Sequence, residues 1–266
     1  MTINNVASTQ LNTSMIRVAT GQRINSAADD AAGLAISERM TAQIRGLDQG
    51  TNNVMNMQNL VNTAEGGLSS INDNLQRMRE LTLQATNAVY TDSDRQNIQT
   101  EINQIMSEID ATASRTEFNG MRLLEGGFSA EDGRGLYTAA DSAGRGPTVN
   151  IGNMTSDMIL GPEEFNVVGS TTDQMQANLQ RIDNAMARVN SERAYLGAMS
   201  NRFDTTIASN QITNLNTAAA RSRIADADIA LEVMRMEQAS VIEQAQLLAE
   251  QRNQEQQGVQ MASLLG

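Results

Sequence analysis

Apolar side chains recur in the first half of the chain at alternating intervals of three and four residues. This spacing is typical of the buried face of a helix in a coiled coil. Ten consecutive positions follow it, and one of them is polar: Val54, Met57, Val61, Ala64, Leu68, Ile71, Leu75, Met78, Thr82 and Ala85. The pattern predicts a long helix from about Asn53 to Ala88 that packs through one face against other helices.

Two further ladders of the same kind follow along the chain. The second contains Ile98, Ile102, Ile105, Ile109 and Thr112. The third contains Met175, Leu179, Ile182, Met186, Val189, Arg193, Leu196, Ser200, Phe203 and Ile207, with Asn210, Asn214 and Thr217 continuing it. Oxygens of 92–94 are candidate N-caps for the second helix, and Thr171 or Thr172 marks the start of the third. The short link between the first two ladders predicts an antiparallel hairpin of helices.

The stretch from Ser114 to Ser170 has a different character, with both prolines and many of the glycines. Asn119-Gly120 predicts a tight turn between two short strands. The alternation in 148–151 predicts another strand, with loops around 131–146. The expected fold is therefore mainly α, a long antiparallel coiled-coil-like helical bundle with a small distal β-hairpin region that caps it.

The two ends of the chain carry only thin apolar stripes. One contains Ile3, Leu11, Met15 and Val18, and the other contains Val241 or Ile242, Ala245, Leu248, Val259, Ala262 and Leu265. Such stripes bury too little area to offset the cost of ordering the backbone, about 1–2 kcal/mol per residue. Two interpretations stay open: the ends fray, or they fold against copies of the same chain.

Composition excludes most catalytic chemistry. The 266 residues carry a net charge of −12, without Cys, His or Trp, and all 19 basic residues are Arg. Zinc fingers, iron–sulfur clusters and His- or Cys-based catalysis are excluded, as are Walker-A loops and Schiff-base lysines. We expect no enzyme activity, no cofactor and no metal. The acidic chain disfavours nucleic acid, and no apolar run is long enough to span a membrane.

Six segments resemble the conserved blocks of a known family, in the family's order. They are Arg23–Met40, Gln43–Leu47, Asn74–Leu81, Glu117–Gly120, Asn190–Ala198 and Ala220–Ile229. The family is bacterial flagellin, and the resemblance covers nearly all of the chain outside Ser129–Gly169. It implies a structural subunit that polymerises into the flagellar filament for swimming motility.

The resemblance also implies a division of the chain. Segments 1–35 and 225–266 correspond to the terminal inner-tube helices (D0) with spoke segments, and 36–224 corresponds to the outer-tube bundle and β-hairpin (D1), without a variable outer domain. The spoke and assembly positions are Arg23, Asn25, Ser26, Asp29, Asp30, Arg223, Asp226 and Asp228. From the residues alone, Ser26 with Asp29 predicts a helix-capping box. Asp226 and Asp228 are too few for a metal site, and either is a candidate cap.

Partners follow from the same resemblance. Arg77 and Leu81 share a helix face, and with Glu101 they match the positions that the Toll-like receptor for flagellin recognises. The alternative is an ordinary intersubunit surface. Other implied partners are copies of the chain itself, a flagellar export chaperone, and the filament cap and hook-junction proteins. Type III export without a cleaved signal peptide and an extracellular location in the filament are also implied.

Three other functions are alternatives to the filament subunit. The hook–filament junction protein shares the terminal architecture of the filament subunit. A flagellin-like enzyme with a zinc-protease insert requires His, which the chain lacks. A monomeric secreted helical ligand or adhesin leaves no fixed motif and stays open.

Overall fold

The computed structural model describes the backbone of residues 2–128 and 135–265, and the side chains of residues 8–128 and 135–258. The predicted loop positions 131–134 and the side chains of Ile3, Val259, Ala262 and Leu265 lie outside these ranges. The chain forms two compact units. The end unit consists of Met1–Ile44 with Thr213–Gly266, and the central unit is Arg45–Ile212.

Six helices account for most of the described chain. They are α1 (Thr2–Thr20), α2 (Ala27–Ala85), α3 (Asp92–Arg115), α4 (Ser156–Leu160), α5 (Thr172–Ala225) and α6 (Ile229–Leu265). The mainly helical fold class is confirmed, since 76% of the chain is helical. The first long helix begins much earlier than the predicted Asn53, because residues before the ladder form helix without a continuous apolar stripe. No helix within the described residues combines the length and apolar content needed to cross a membrane.

The core of the central unit is built by the three ladders. On α2, nine of the ten predicted positions are buried, and Met57 is partly buried. Three polar contacts join α2 to α5, and their order shows that the two helices run antiparallel: Gln58 to Asp204, Glu65 to Arg193, and Arg79 to Asp183. Arg193, a polar residue in the predicted third ladder, is therefore paired with a carboxylate at 2.8 Å.

The buried face of α5 differs from the predicted ladder at every second position. Asn178, Ala185 and Met199 are buried, whereas their neighbours Leu179, Met186 and Ser200 are only partly covered. If α5 packed against one helix alone, the residues at the ladder positions would be the buried ones. Since α5 shares its core with α2 and with the β-strands, the buried face follows the combined surface of these partners.

Six short strands form three antiparallel pairs between α3 and α4. Strand β1 (Glu117–Phe118) pairs with β2 (Met121–Arg122), β3 (Glu125–Phe128) with β6 (Ile151–Asn153), and β4 (Leu136–Tyr137) with β5 (Thr148–Val149). The predicted Asn-Gly turn is confirmed, because Asn119 and Gly120 both have positive φ, at 52° and 76°. The predicted strand across 148–151 is divided at Asn150 between two different partners.

The strands lie beside α2 and α5, which differs from the expected position at the distal end of the bundle. A Cβ on Gly67 would stand 2.5 Å from the Thr116 hydroxyl oxygen, and one on Gly50 would overlap the Ala140 carbonyl. The side-chain amide of Asn210 donates to the same carbonyl at 2.7 Å. The physical reason is length: α3 covers only part of the α2 ladder, and the strands and loops cover the remainder.

Candidate assembly interface

A short backbone bridge joins the two halves of the end unit. Helix α1 ends at Thr20, and the next residue, Gly21, has a φ of 69°, the left-handed conformation that glycine favours just after a helix. The Arg23 amide donates to the Ala225 carbonyl at 2.7 Å, and the Ala227 amide donates to the Gly21 carbonyl at 2.9 Å. This antiparallel bridge fixes the segment before α2 against the segment before α6.

Two of the predicted spoke residues reinforce the bridge. The Arg23 guanidinium donates to the Ile224 carbonyl at 2.6 Å and lies 3.7 Å from an Asp30 carboxylate oxygen. The Asn25 side-chain amide donates to the Gln22 carbonyl at 2.8 Å. Both side chains therefore satisfy backbone carbonyls that no helix or sheet ladder would satisfy.

Half of the predicted capping box at Ser26 is present. The Asp29 carboxylate accepts the Ser26 amide at 2.9 Å, the Ser26 hydroxyl at 3.0 Å and the Asn25 amide at 3.2 Å. The reciprocal bond is replaced, because the hydroxyl donates to the carboxylate instead of accepting the Asp29 amide. The hydrogen bonds from Ser26 and Asn25, together with the nearby Arg17, lower the pKa of Asp29.

Asp30 supplies a second cap immediately afterwards. Its backbone is extended, which interrupts α2 at this residue. Its carboxylate accepts the Gly33 amide at 2.8 Å, as an N-cap side chain does three residues into a helix. A Cβ on Gly33 would overlap this carboxylate and stand 2.8 Å from Ile24. Glycine at this position lets the capping carboxylate and the buried Ile24 pack closely against the helix.

The second half of the predicted spoke has simpler roles. Asp228 caps α6, since its carboxylate accepts the Leu231 amide at 3.2 Å. Asp226 takes part in the backbone bridge opposite Gln22. Arg223 is exposed. Among the side chains described, those of residues 8–128 and 135–258, no group of three or more acidic residues is placed to hold a metal ion.

Sequence reasoning missed a buried carboxylate on α6. Glu232 is 3% exposed, and it accepts the Ser14 hydroxyl at 3.1 Å from α1. Arg17 of α1 and Arg235 of α6 also contact it, at 3.5 Å and 2.8 Å. The available signal was spacing, since Glu232 stands seven residues before Ala239, the next buried residue of α6.

Large apolar side chains of the end unit point outward. Eleven such residues are at least 40% exposed: Met15, Ile16, Ile36, Leu215, Ile229, Leu231, Met234, Val241, Ile242, Leu247 and Leu248. Soluble monomers seldom expose so many large apolar groups in so small a unit. The end unit therefore has a surface typical of a protein interaction site.

The predicted receptor surface is corrected at one position. Leu81 is 2% exposed and belongs to the core, because α2 is covered on two sides and residues flanking its ladder are buried as well. Arg77 is exposed, Glu101 is partly exposed, and the two are joined by hydrogen bonds of 2.7 and 3.0 Å. Glu101 and Glu80 together raise the pKa of Arg77. A receptor could contact this ion pair on the surface, but it could not contact the buried Leu81 side chain.

The bridged ends, the capped helices and the uncovered apolar residues define a helical protein whose end unit leaves a large apolar surface exposed. The chain matches the family models for the bacterial flagellin N-terminal helical region over residues 1–129 and the C-terminal helical region over residues 179–262. It therefore belongs to the bacterial flagellin family.

Individual relatives agree with this assignment. The chain is 37% identical to flagellin FlaB1 of Treponema pallidum over 238 residues, covering 86% of this chain and 83% of the relative. It is 35% identical to the flagellar filament 31.3 kDa core protein of Treponema maltophilum, covering 87% and 84%. The crystal structure of Bacillus cereus flagellin superposes with a TM-score of 0.50 at 26% identity, covering 63% of this chain and 94% of that one.

Proposed function

We propose that this protein is a structural subunit that polymerises into the bacterial flagellar filament for swimming motility. The observation that carries the proposal is the outward-facing set of large apolar side chains on the end unit. Relatives named as flagellar filament core proteins support it. The hook–filament junction protein and a monomeric ligand or adhesin are less favoured alternatives, since the sequence relatives are flagellins.

The energetics suit assembly. Fully burying one large apolar side chain contributes about 1.5–3 kcal/mol, and these eleven residues are already 29–60% covered. Most of them must therefore be covered in each subunit to offset the cost of association, about 4–15 kcal/mol. Contacts between two different faces of neighbouring subunits can repeat indefinitely and build a helical filament, because they do not close into a dimer. Polymerisation should accordingly be strongly concentration-dependent.

Finer assignments belong to the same proposal. Residues 1–35 and 225–266 form the inner tube and its spokes, and 36–224 form the outer tube. The subunit is exported through the flagellar type III apparatus and lies outside the cell in the filament. A chaperone covers the apolar side of α6 before export, and cap and hook-junction proteins contact the filament ends. The subunit has no catalytic role.

Recognition of the monomer by the Toll-like receptor for flagellin is a second candidate. It is favoured by the Arg77–Glu101 pair, which is exposed and held in one geometry by two hydrogen bonds. Binding of soluble monomer to the receptor ectodomain should weaken at least tenfold in Arg77→Ala. Unchanged binding in this variant would remove the candidate.

The filament proposal is tested by polymerisation of the full chain beside a chain lacking residues 1–20, read by sedimentation and negative-stain imaging. A sharper pair of variants uses two leucines of equal exposure. Leu247 in the end unit is 53% exposed, and Leu83 in the central unit is 54% exposed. Leu247→Ser should raise the critical concentration several-fold, and Leu83→Ser should change it much less.

Two results would contradict the proposal. The first is a full chain that forms no tubes with seeds or precipitating salt, which would favour a monomeric ligand. The second is equal polymerisation of the full chain and the truncated chain, which would remove the end unit from assembly.

A further inference from the structure

The contact between α1 and α6 fully buries few apolar side chains. Within the side chains that the structure describes, the buried residues of these two helices are Ser14, Glu232 and Ala239, and the apolar residues Leu11, Val18, Val233 and Met236 are only partly covered. The large apolar residues of α6 point elsewhere, with Met234 and Leu248 56% and 62% exposed. Apolar packing alone therefore specifies only weakly how far α1 is shifted along α6.

Glu232 supplies a much more specific constraint. Its side chain is 4% exposed, and its carboxylate lies against Ser14 and Arg17 from α1 and Arg235 from its own helix. A buried carboxylate without partners is strongly destabilising. Sliding α1 along α6 by a heptad would remove both partners from α1, leave the carboxylate with Arg235, and break the adjacent backbone bridge of Gly21–Arg23 to Ala225–Ala227. Glu232 therefore acts with the bridge, from within the helix pair.

The same arginine extends the network to the segment before α2. Arg17 lies 3.5 Å from Glu232 and 3.7 Å from the Asp29 carboxylate. Asp29 in turn accepts the amides of Asn25 and Ser26. The position of α1 along α6 is thereby linked to the conformation of the bridged segment.

We propose that Glu232 is a positioning residue that sets the register between α1 and α6, with Ser14 and Arg17 as its partners. The inference rests on the proposed function, because it assigns a role in assembly to the paired ends. A single buried polar group is an attested way to fix register where apolar packing is degenerate. In this chain the group is a carboxylate, and its partners lie on the opposite helix.

A swap of two residues on α6 tests this role without changing composition or net charge. Glu232 and Ala239 are buried and lie seven residues apart, so Glu232→Ala combined with Ala239→Glu moves the carboxylate by one heptad. The matched control is Glu237→Ala, which removes an exposed carboxylate from the same helix. Glu232→Gln keeps an oxygen that accepts from the arginines, and its new amide group donates to the Ser14 hydroxyl oxygen in place of accepting from it, so the variant should behave as the conservative rescue.

Register is read from a distance between two spin labels. The chain has no Cys, so Gln10→Cys and Gln244→Cys provide the only thiols, and both positions are exposed. We expect one narrow distance distribution in the parent chain, in Glu232→Gln and in Glu237→Ala. The swap should shift that distribution by up to about 10 Å, one heptad of helix, or broaden it, and should lower the yield of polymer several-fold.

The outcomes separate the two proposals. An unchanged distribution in the swap, or a parent chain with no defined distance as monomer or polymer, would overturn the register inference. Equal broadening in Glu237→Ala would overturn it too, since altering an exposed carboxylate of α6 would then have the same effect as moving the buried one. A parent chain with a narrow distribution that never polymerises would remove the filament function and leave the register inference standing.

Discussion

The central unit and the end unit are both built mainly of long helices, but they differ in how far their large apolar side chains are buried. The central unit buries large side chains such as Leu68, Ile71 and Phe203 completely. In the end unit the large apolar residues are mostly exposed, and the best-buried contact between α1 and α6 involves a carboxylate. All seven aromatic residues belong to the central unit, at Tyr90, Phe118, Phe128, Tyr137, Phe165, Tyr195 and Phe203.

This contrast indicates where each unit obtains its stability. A core of fully buried Leu, Ile and Phe supports independent folding of the central unit. The end unit exposes the groups that would supply comparable energy, so its stability depends on what covers them. The aromatic residues make the comparison measurable, because tyrosine fluorescence reports on the central unit alone.

The largest expected loss of stability comes from creating a cavity in the core of the central unit. Leu75 is fully buried, so Leu75→Ala should lower the free energy of unfolding by about 2–5 kcal/mol, followed by tyrosine fluorescence in urea. Leu248→Ala removes the same atoms from a residue that is 62% exposed in the end unit, and should change that transition by less than about 0.5 kcal/mol. Equal losses would mean that the two units fold as one cooperative body.

Two adjacent glycines of α2 test how closely the strands pack. A Cβ on Gly67 would meet Thr116 at 2.5 Å and Leu124 at 2.9 Å, whereas Gly66 has open space. Gly67→Ala should therefore destabilise the central unit by about 1–3 kcal/mol, by the same fluorescence assay. Gly66→Ala should stabilise it by about 0.5–1 kcal/mol, since alanine is the better helix former. A stabilising Gly67→Ala would show that the strands adjust freely beside the helix.

Each unit also has a helix cap, and the two caps should differ in their effects. The Thr91 hydroxyl accepts the Asp94 amide at 3.3 Å in a complete capping box on α3. Thr91→Ala should lower the free energy of unfolding of the central unit by about 1 kcal/mol. Asp228→Ala, which removes the cap of α6, should leave the tyrosine transition unchanged. A matching loss from both variants would contradict the separate stabilities of the two units.

Much of the central unit was predictable because its ladders are periodic and its hairpin has a distinctive turn. The buried residues of α2 and the Asn119-Gly120 turn follow directly from local pattern. The position of the strands was not predictable, because it depends on how much of α2 the shorter α3 leaves uncovered. The burial of Leu81 was not predictable, because this residue lies outside the apolar ladder of α2 and is covered only when α2 packs against a second neighbour.

The candidate site was predictable through family resemblance more than through physics. Asp30 and Asp228 cap helices, which local spacing alone suggests for the latter. Glu232 escaped detection because a glutamate in the first turn of a helix is ordinarily a solvated partner of the helix dipole. Its burial depends on Ser14 and Arg17, more than 200 residues away in sequence.

The smallest predicted effect concerns a carboxylate inside the central unit. Glu192 accepts the Gly152 amide at 3.2 Å, and burial raises its pKa. An acid whose pKa is raised on folding binds protons more readily in the folded state. Its contribution to stability therefore declines as pH rises from the ordinary carboxyl range through the raised pKa, and stays unfavourable at neutral pH.

Glu192→Gln removes that charge and keeps an oxygen for the Gly152 amide. We expect the variant to be more stable than the parent at pH 7, by less than about 1 kcal/mol, because the half-exposed site is screened by solvent. The advantage should shrink as the pH falls through the raised pKa of Glu192 into the ordinary carboxyl range, where Glu192 becomes protonated in the folded parent. Glu164→Gln makes the same change at an exposed position of the central unit and serves as the control. A Glu192→Gln chain that is less stable at every pH would show that the carboxylate's hydrogen bond outweighs its burial. The central unit would then contain a partly buried charge that stabilises the fold.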